Sequence, residues 1–344
     1  YYLDNAYSSS AGPNENWGRE LFELHTLGAE NYMGVQPQSA VPGYAAGTPE
    51  MYVDADVYEA TRAFTGWRVN DNSWEQGVQN TGSFLYYDSW HDRFQKTILG
   101  LPVIPANQAP MHDGNAVLDK LAANPGTGRF ICRKLCRRLV SDTPPDSLVN
   151  GAAALFTAQR NAPDQIAQVI RYILMSAEFR STWGEKIKRP LEAAISAIRA
   201  CGASFRPIDE FFWYYDAMGQ PMCERRPPDG WADVKGAWTN TTSMLHRWRL
   251  VNWLIEKGIN GTQSDVVVDV VAQTPSGLKS PNALTDFWIQ RVLGRAMHTP
   301  DARSELVDFI AQGRNPAFDL TPALIAERLP RMVALRLMTP DFQW

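Results

Sequence analysis

The sequence lacks the features of a membrane-spanning or nucleic-acid-binding chain. No apolar run approaches the roughly 18 residues that cross a bilayer. Basic residues are not in excess, because 33 Lys and Arg stand against 37 Asp and Glu, for a net charge of −4. This balance makes nucleic acid a poor candidate partner. With 44% hydrophobic and 20% charged residues, the composition is that of a globular protein.

Cysteine is scarce, and its spacing matches no common metal or redox motif. The four cysteines are Cys132, Cys136, Cys201 and Cys223. They form no CxxC or CxxCH pair, so the sequence supports neither a zinc ribbon nor a c-type haem. Cys132 and Cys136 are one helical turn apart, a spacing that rarely forms a disulfide. Cys201 and Cys223 flank a Pro-rich loop. From the sequence, the two could form a disulfide or remain free thiols.

Aromatic residues, in contrast, are abundant. The chain has 12 Trp, 12 Tyr and 14 Phe. Flat rings offer a large rigid area that can stack on sugars or anchor an interface, although a Trp-rich core is the alternative for any single ring. Five tryptophans stand out because they lie among Gly, Pro, Asp or Ser: Trp74, Trp90, Trp183, Trp231 and Trp238.

Helical periodicity dominates the chain and predicts a mainly α fold. We expect one large multi-helix domain over residues 1–344, with a weak boundary near 181–188. Two short segments, 67–70 and 83–87, predict a small β-hairpin. Long loops inside a compact domain often carry function. The long loops expected here are 28–49, 101–111 and 219–240.

The segment PNENWGRELFELHTLG predicts an unusual helix over residues 14–26. On a wheel of 100° per residue, Glu15, Arg19 and Glu23 share a solvent face. Glu20 and His25 fall inside a wide apolar arc, so we expect both to be buried. A buried carboxylate must be paired, metal-bound or protonated. The two side chains point about 140° apart and should not share one metal; ordinary pairing of each with a distant group is the alternative.

A second polar cluster, YYDSWHDRFQK, follows the predicted hairpin. Its Asp88, His91, Asp92 and Lys96 could ligate a metal or act as an acid/base pair. Loop capping by Asp92 is the alternative. The HD dipeptide recurs at Asp113, which is more simply read as a helix N-cap. No HExxH, GxSxG or Gly-rich phosphate loop names a reaction.

Several segments together resemble a bacterial family catalogued as domain of unknown function 1800. They are YLDN (2–5), PNENWGRELFELHTLG (13–28), DVYEATRAFTGW (56–67), HD…K…LG (91–100), RFICRKLCRRLVSDTPP (129–145), KIKRPLEAAISAIRA (186–200), GQPMCERRPPDGW (219–231) and LMTPDFQW (337–344). The order and spread cover essentially the whole chain. The chain departs from the family in a longer 30–49 loop and in lacking the usual helical segment before YLDN, with its Trp-His-x-His-like stretch.

The resemblance implies an exported, mostly helical bacterial protein, periplasmic, cell-surface or extracellular. Such proteins are often encoded beside a member of the sulfatase and alkaline phosphatase superfamily, which is therefore an expected protein partner. The resemblance implies no established reaction. Histidines of the absent N-terminal segment could complete a site with His25 or His91.

Three functions remain open at this point. The first is an exported enzyme, such as a hydrolase, acting on polysaccharide or another surface polymer, with the catalytic candidates Glu20, His25, His91 and Asp92. Its substrate-binding candidates are Trp67, Trp74, Trp90, Arg19 and Lys96. The second is a non-catalytic scaffold or interaction subunit of a cell-surface assembly. The third is a metal-dependent redox protein built on histidines of the absent N-terminal segment together with His25 and His91. The candidate ligands of a divalent metal in this sequence are His25, His91 and Asp92.

Overall fold

A computed structural model describes residues 3–71, 80–260 and 265–344, with the backbone alone for 258–260. Its described part contains fourteen α-helices and two small two-stranded sheets, so the predicted mainly α fold is confirmed. The chain divides into two compact units, Tyr1–Ser181 and Thr182–Trp344. The single domain expected from the sequence stays a prediction. Among the described helices, none combines the length with the apolar composition that a membrane crossing requires.

The described residues of the first unit form seven α-helices and one hairpin. The helices are α1 (Glu15–Glu20), α2 (Asp54–Ala63), α3 (His112–Ala123), α4 (Pro125–Leu139), α5 (Asp146–Ala158), α6 (Gln165–Leu174) and α7 (Ala177–Ser181). Local chemistry sets two of their starts. The Asp56 carboxylate accepts the backbone N–H of Val53 at 3.0 Å and closes the first turn of α2. Asn124 caps α4 by accepting the N–H of Gly126 at 2.7 Å, directly before Pro125.

The predicted hairpin is present and antiparallel. Strand β1 (Trp67–Val69) pairs with β2 (Phe84–Tyr86), with Trp67 opposite Tyr86. Gly66 precedes β1 with a φ of 81°, and a Cβ there would lie 2.6 Å from the Tyr87 carbonyl oxygen. Only glycine permits both the left-handed backbone and this close approach. The turn thereby holds the end of α2 against the segment that follows β2.

Two apolar clusters form the core of the first unit. One packs α2 and α3 with the segment around Leu99, and its fully buried side chains include Phe22, Val57 and Phe64. The other joins α4, α5 and α6 through Cys132, Val149 and other buried residues. Burial raises the pKa of the Cys132 thiol to about 12. Cys132 and its neighbour one turn on are therefore packing residues and not reactive thiols.

The second unit is built mostly of helices. They are α8 (Pro190–Ala200), α9 (Asp209–Ala217), α10 (Thr241–Asn260), α11 (Pro281–Leu293), α12 (Ala302–Ala311), α13 (Pro322–Met338) and α14 (Pro340–Gln343). Strands β3 (Ser204–Phe205) and β4 (Val266–Val267) form a second antiparallel pair that the sequence did not predict. The core surrounds the fully buried Trp288. Cys201 and Cys223 are free thiols, Cys201 buried and Cys223 exposed.

Candidate functional site

Three residues nominated from the sequence, His91, Asp92 and Lys96, meet in one buried ion network with Arg62 and Asp113. The Gly66 turn brings α2 against the network, because the Asp92 N–H donates to the Thr65 hydroxyl at 2.8 Å. Nδ1 of His91 lies 3.0 Å from the Thr65 carbonyl oxygen. Thr65 therefore positions both residues of the HD dipeptide.

Lys96 lies at the centre of this buried ion network. Its side chain is 0% exposed, and Nζ donates to the carbonyl oxygens of Asp92 at 2.5 Å and Phe94 at 2.9 Å. The third bond goes to Oδ2 of Asp113 at 2.6 Å. All three ammonium donors are thus used inside the protein. The substrate-binding role predicted for Lys96 is not supported, since the ammonium has no donor left for a ligand.

Asp113, which the sequence predicts to be a helix N-cap, is instead part of the buried ion network. It is the second residue of α3 and not its N-cap, which is Met111. Its Oδ2 receives Lys96 and also lies 3.2 Å from Nε2 of His91, while Oδ1 has no partner among the described residues. Burial raises the pKa of Asp113, but the hydrogen bonds from His91 and Lys96 outweigh it and lower the net value.

Arg62 closes the other side of the network. Its Nε and Nη2 donate to the two carboxylate oxygens of Asp92 at 2.9 and 3.0 Å, a bidentate pair. Nη1 donates to Glu59 at 2.7 Å, and Glu59 accepts the Thr97 N–H at 2.9 Å. Burial raises the pKa of Asp92, but the Arg62 pair reverses this and leaves the carboxyl with a lowered pKa.

The network is closed to solvent and internally paired. The His91 side chain is 7% exposed and that of Asp92 is 11% exposed. No group of three or more His, Cys, Asp or Glu side chains in the described part of the chain could hold a metal. The metal group predicted from His25, His91 and Asp92 therefore does not come together there. Such an arrangement holds the loop after β2 in place.

The helix predicted over residues 14–26 contains a π-helical turn. α1 ends at Glu20 and continues as a π-turn over Leu21–Thr26, with the Leu27 N–H bonded to the Phe22 carbonyl at 2.8 Å. A π-turn advances less per residue than an α-helix, because its hydrogen bonds span five residues. Glu20 is half-buried, but His25 is exposed. The predicted burial of His25 is wrong, since the wheel of 100° per residue does not apply beyond Leu21.

Arg19 takes part in a partly exposed contact with α2. It bonds Glu15 at 3.4 Å, as predicted for the polar face, and also Asp54 at 3.0 Å. The hydroxyl of Tyr32 donates to the same carboxylate at 2.6 Å. Hydrogen bonds from Tyr32 and Arg19 lower the pKa of Asp54. Arg19 is thus held by α2, away from the buried ion network, whose hydrogen bonds it does not share.

The predicted tryptophans occupy different surroundings. Trp67 packs edge-on against Phe64 and Phe84, with ring centroids 5.2 and 5.4 Å apart. The Trp90 ring is covered by the guanidinium of Arg68, 4.3 Å from its centroid. Trp74 lies outside the described residues. Neither described ring offers a clear face to a sugar, because protein groups already contact both.

A larger feature, which sequence reasoning missed, is a cleft of about 820 Å³ in the second unit. Helices α8 and α11 and the C-terminal segment form its walls. The lining residues are Trp183, Lys188, Leu191, Glu192, Ile195, Ser196, Arg199, Ala200, Arg291, Val292, Leu293, Arg295, Asp341, Phe342 and Trp344. Four of these are cationic and two acidic. Of these residues, only Trp183 stood out in the sequence, because the cleft joins segments that are far apart in sequence, such as α8 and α11.

The two acids of the cleft are already engaged. Glu192 pairs with Arg189 at 3.1 Å. Asp341 accepts Arg295 at 3.2 Å and the N–H groups of His298 and Thr299 at 2.6 and 3.0 Å. Burial alone would raise the pKa of Asp341, but these bonds bring it to about 2. Because both acids are paired, the charge that remains in the cleft is positive.

Comparison with known proteins adds a family and no activity. No curated protein and no solved structure matches the chain. One family model matches residues 1–344, the whole of the sequence. The chain belongs to the family described as a protein of unknown function, DUF1800.

Proposed function

We propose that the protein binds an acidic polysaccharide in the cleft of its second unit and does not turn it over. The supporting observation is the charge of the cleft, in which both acids are paired and cations remain. Acidic sugars carry carboxylate or sulfate groups that arginine recognises with charge-assisted hydrogen bonds. This function combines the non-catalytic role of the second hypothesis from the sequence with the polysaccharide ligand of the first.

Two arginines are the main binding candidates. Arg199 is exposed at the end of α8 and has no side-chain partner in the described part of the chain. Arg291 is exposed as well, and it uses Nη2 for Gln273 at 2.5 Å and Nε for the Ala200 carbonyl at 3.4 Å. Arg291 is therefore held in place at the cleft, whereas Arg199 is free to adapt to a ligand.

The apolar part of the cleft suits the carbon face of sugar rings. Leu191 and Ile195 are 37% and 42% exposed on the outer face of α8. Trp183 is 43% exposed, but its ring already contacts Arg295 and His298, so the two aliphatic side chains carry the apolar part. Exposed apolar groups beside cations favour a ligand that has both an apolar face and negative charge. A simple inorganic ion would use only the cations.

Hydrolysis in this cleft is not supported by the carboxylates. Glycoside hydrolysis uses two carboxyl groups, one of which transfers a proton to the leaving oxygen. Glu192 and Asp341 are held by arginines, and the pKa of Asp341 is about 2, so it is ionised at neutral pH. The closed network of His91 and Asp92 offers no alternative, because a substrate could not reach it.

The test is polysaccharide binding by affinity electrophoresis or microcalorimetry. Polygalacturonate represents the acidic class, and dextran is the neutral comparison. Arg199→Glu should weaken binding to polygalacturonate at least tenfold, because it places a negative charge where the ligand charge lies. Binding should also weaken with added salt.

The control is Arg206→Glu in the same unit, because Arg206 is 82% exposed and does not line the cleft. This variant should bind like the wild type. The proposal is wrong if dextran binds as tightly as polygalacturonate. It is also wrong if Arg206→Glu loses as much affinity for polygalacturonate as Arg199→Glu does.

A further inference from the structure

Two buried arginines of the second unit have an unpaired edge. Arg247 in α10 is 1% exposed and Arg336 in α13 is 0% exposed. Nη1 of Arg247 donates to the side chain of Gln343 at 3.1 Å, and Nη1 of Arg336 donates to the Thr339 hydroxyl. Nε and Nη2 of both arginines have no partner in the described part of the chain. Four buried nitrogens, two from each arginine, thus have no hydrogen-bond acceptor among the described residues.

The unpaired atoms form the edge that binds oxyanions. Nε and Nη2 lie on one side of the guanidinium and donate in parallel. The same edge is filled elsewhere in this protein. Arg62 uses it for Asp92 at 2.9 and 3.0 Å, and Arg303 uses it for Asp286 at 2.7 and 2.9 Å. Leaving it empty in a buried guanidinium costs the full desolvation of those donors.

In the described part of the chain, no carboxylate fills these edges. The buried acid of this region is Asp341, and its oxygens already accept Arg295 and two backbone N–H groups. Burial lowers the pKa of Arg336 to about 10. The charge of Asp341 raises this pKa by a smaller amount, and the charge of Arg295 lowers it. Burial alone lowers the pKa of Arg247 to about 10. Both guanidinium groups are therefore buried without a matched negative charge.

A third cation belongs to the same cluster. Lys188 donates to the backbone oxygens of Phe342 and Trp344. Burial, and then the charges of Arg336, Arg247 and Arg295, lower the pKa of Lys188 to about 8. Lys188 also lines the cleft, which connects the cluster with the surface.

We propose that Arg247, Arg336 and Lys188 form a binding site for one small tetrahedral oxyanion, phosphate or sulfate. All three side chains bond to the C-terminal segment 339–344, which places the cations around one short stretch of chain. Each arginine has two unpaired donors, and a tetrahedral oxyanion has enough acceptor oxygens for all four. A buried water could accept a hydrogen bond but would leave the excess positive charge uncompensated. The two arginines lie outside the lining of the cleft, and Lys188 is the residue that the oxyanion site shares with it.

The first experiment uses wild-type protein prepared without phosphate or sulfate. Its melting temperature is measured with increasing sodium phosphate, sodium sulfate or sodium chloride at matched ionic strength. At about a hundredfold excess over Kd, the specific oxyanion should raise Tm by about 5 °C or more above chloride. The salt that acts at the lower concentration identifies the ligand. An equal effect of all three salts would overturn the proposal.

Variants then locate the site. Arg336→Met should abolish the oxyanion-dependent rise in Tm. The matched control is Arg328→Met, because Arg328 is a buried arginine of the same helix whose Nη1 donates to the carbonyls of Ile310 and Ala311. It should keep the rise although it lowers Tm itself. A rise that persists in Arg336→Met contradicts the proposal.

If Arg336→Met does not fold, Arg247→Gln takes its place with the same expected loss. A measurement on the wild type avoids variants altogether. Protein purified in phosphate and dialysed extensively is denatured, and the released anion is quantified by ion chromatography. About one equivalent per chain supports the site, and none detected after dialysis, together with no Tm rise, rejects it.

Discussion

Replacing Lys96 by methionine should test whether the buried ion network holds the first unit together. The substitution keeps most of the apolar stem and removes an ammonium with three partners and no exposure. Asp113 would then keep only His91 on Oδ2, with nothing on Oδ1. Breaking a buried ion pair by removing one partner costs about 3–5 kcal/mol. At about 2–4 °C per kcal/mol, Tm should fall by about 6–20 °C.

The assay is urea unfolding of Lys96→Met followed by circular dichroism, with thermal melts in parallel. Arg133→Met is the matched control in the same unit. Arg133 pairs with Asp146 at 3.2 Å, but the two side chains are 38% and 76% exposed. An exposed pair contributes about 0–1 kcal/mol, so this variant should remain close to the wild type.

The pH dependence of the Lys96→Met effect has a defined sign. The pKa of Asp113 is lowered from its ordinary 3.8, so its stabilising contribution is present above pH 3.8 and disappears as the pH falls through the folded-state value. The difference in unfolding free energy between wild type and variant should therefore shrink below about pH 4. A loss under 1 kcal/mol at pH 7, equal to that of Arg133→Met, would refute the reasoning.

Three further outcomes are expected. Gly114→Ala should cost about 1–3 kcal/mol in urea unfolding, because its Cβ would lie 2.5 Å from the Trp67 ring, and the near-UV signal of that ring should change. His25→Ala should alter the unfolding free energy by less than about 0.5 kcal/mol, because His25 is exposed. In oxyanion-free buffer, unfolding free energy should rise between about pH 8 and 10.5 in the wild type but less in Lys188→Met. Burial and nearby positive charges lower the pKa of Lys188 to about 8, so the unfolded chain binds the additional proton in this window.

Local patterns were sufficient for the helical class and the first hairpin. Strand β1 was expected over 67–70 and is found at Trp67–Val69, because alternation and flanking polar loops report directly on a strand. The β3–β4 pair was missed, since each strand has only two residues and the paired residues, such as Ser204 and Val267, are far apart in sequence. Two residues cannot establish a period.

The site was predicted in part. A cluster of charged residues after a strand drew attention to His91, Asp92 and Lys96, and these do lie together. Sequence spacing could not show that Arg62 and Asp113 complete the network, because both come from other helices. Metal binding, export and a sulfatase-like partner stay predictions.

The sequence by itself determined the helical class and the family, since both depend on local periodicity and on the order of segments along the chain. Only the tertiary structure decided which charges are buried. Arg247 and Arg336 look like ordinary surface cations in sequence, yet each is at most 1% exposed. Burial depends on which distant segments pack around a side chain. The same packing decides whether a buried charge has a partner within the protein.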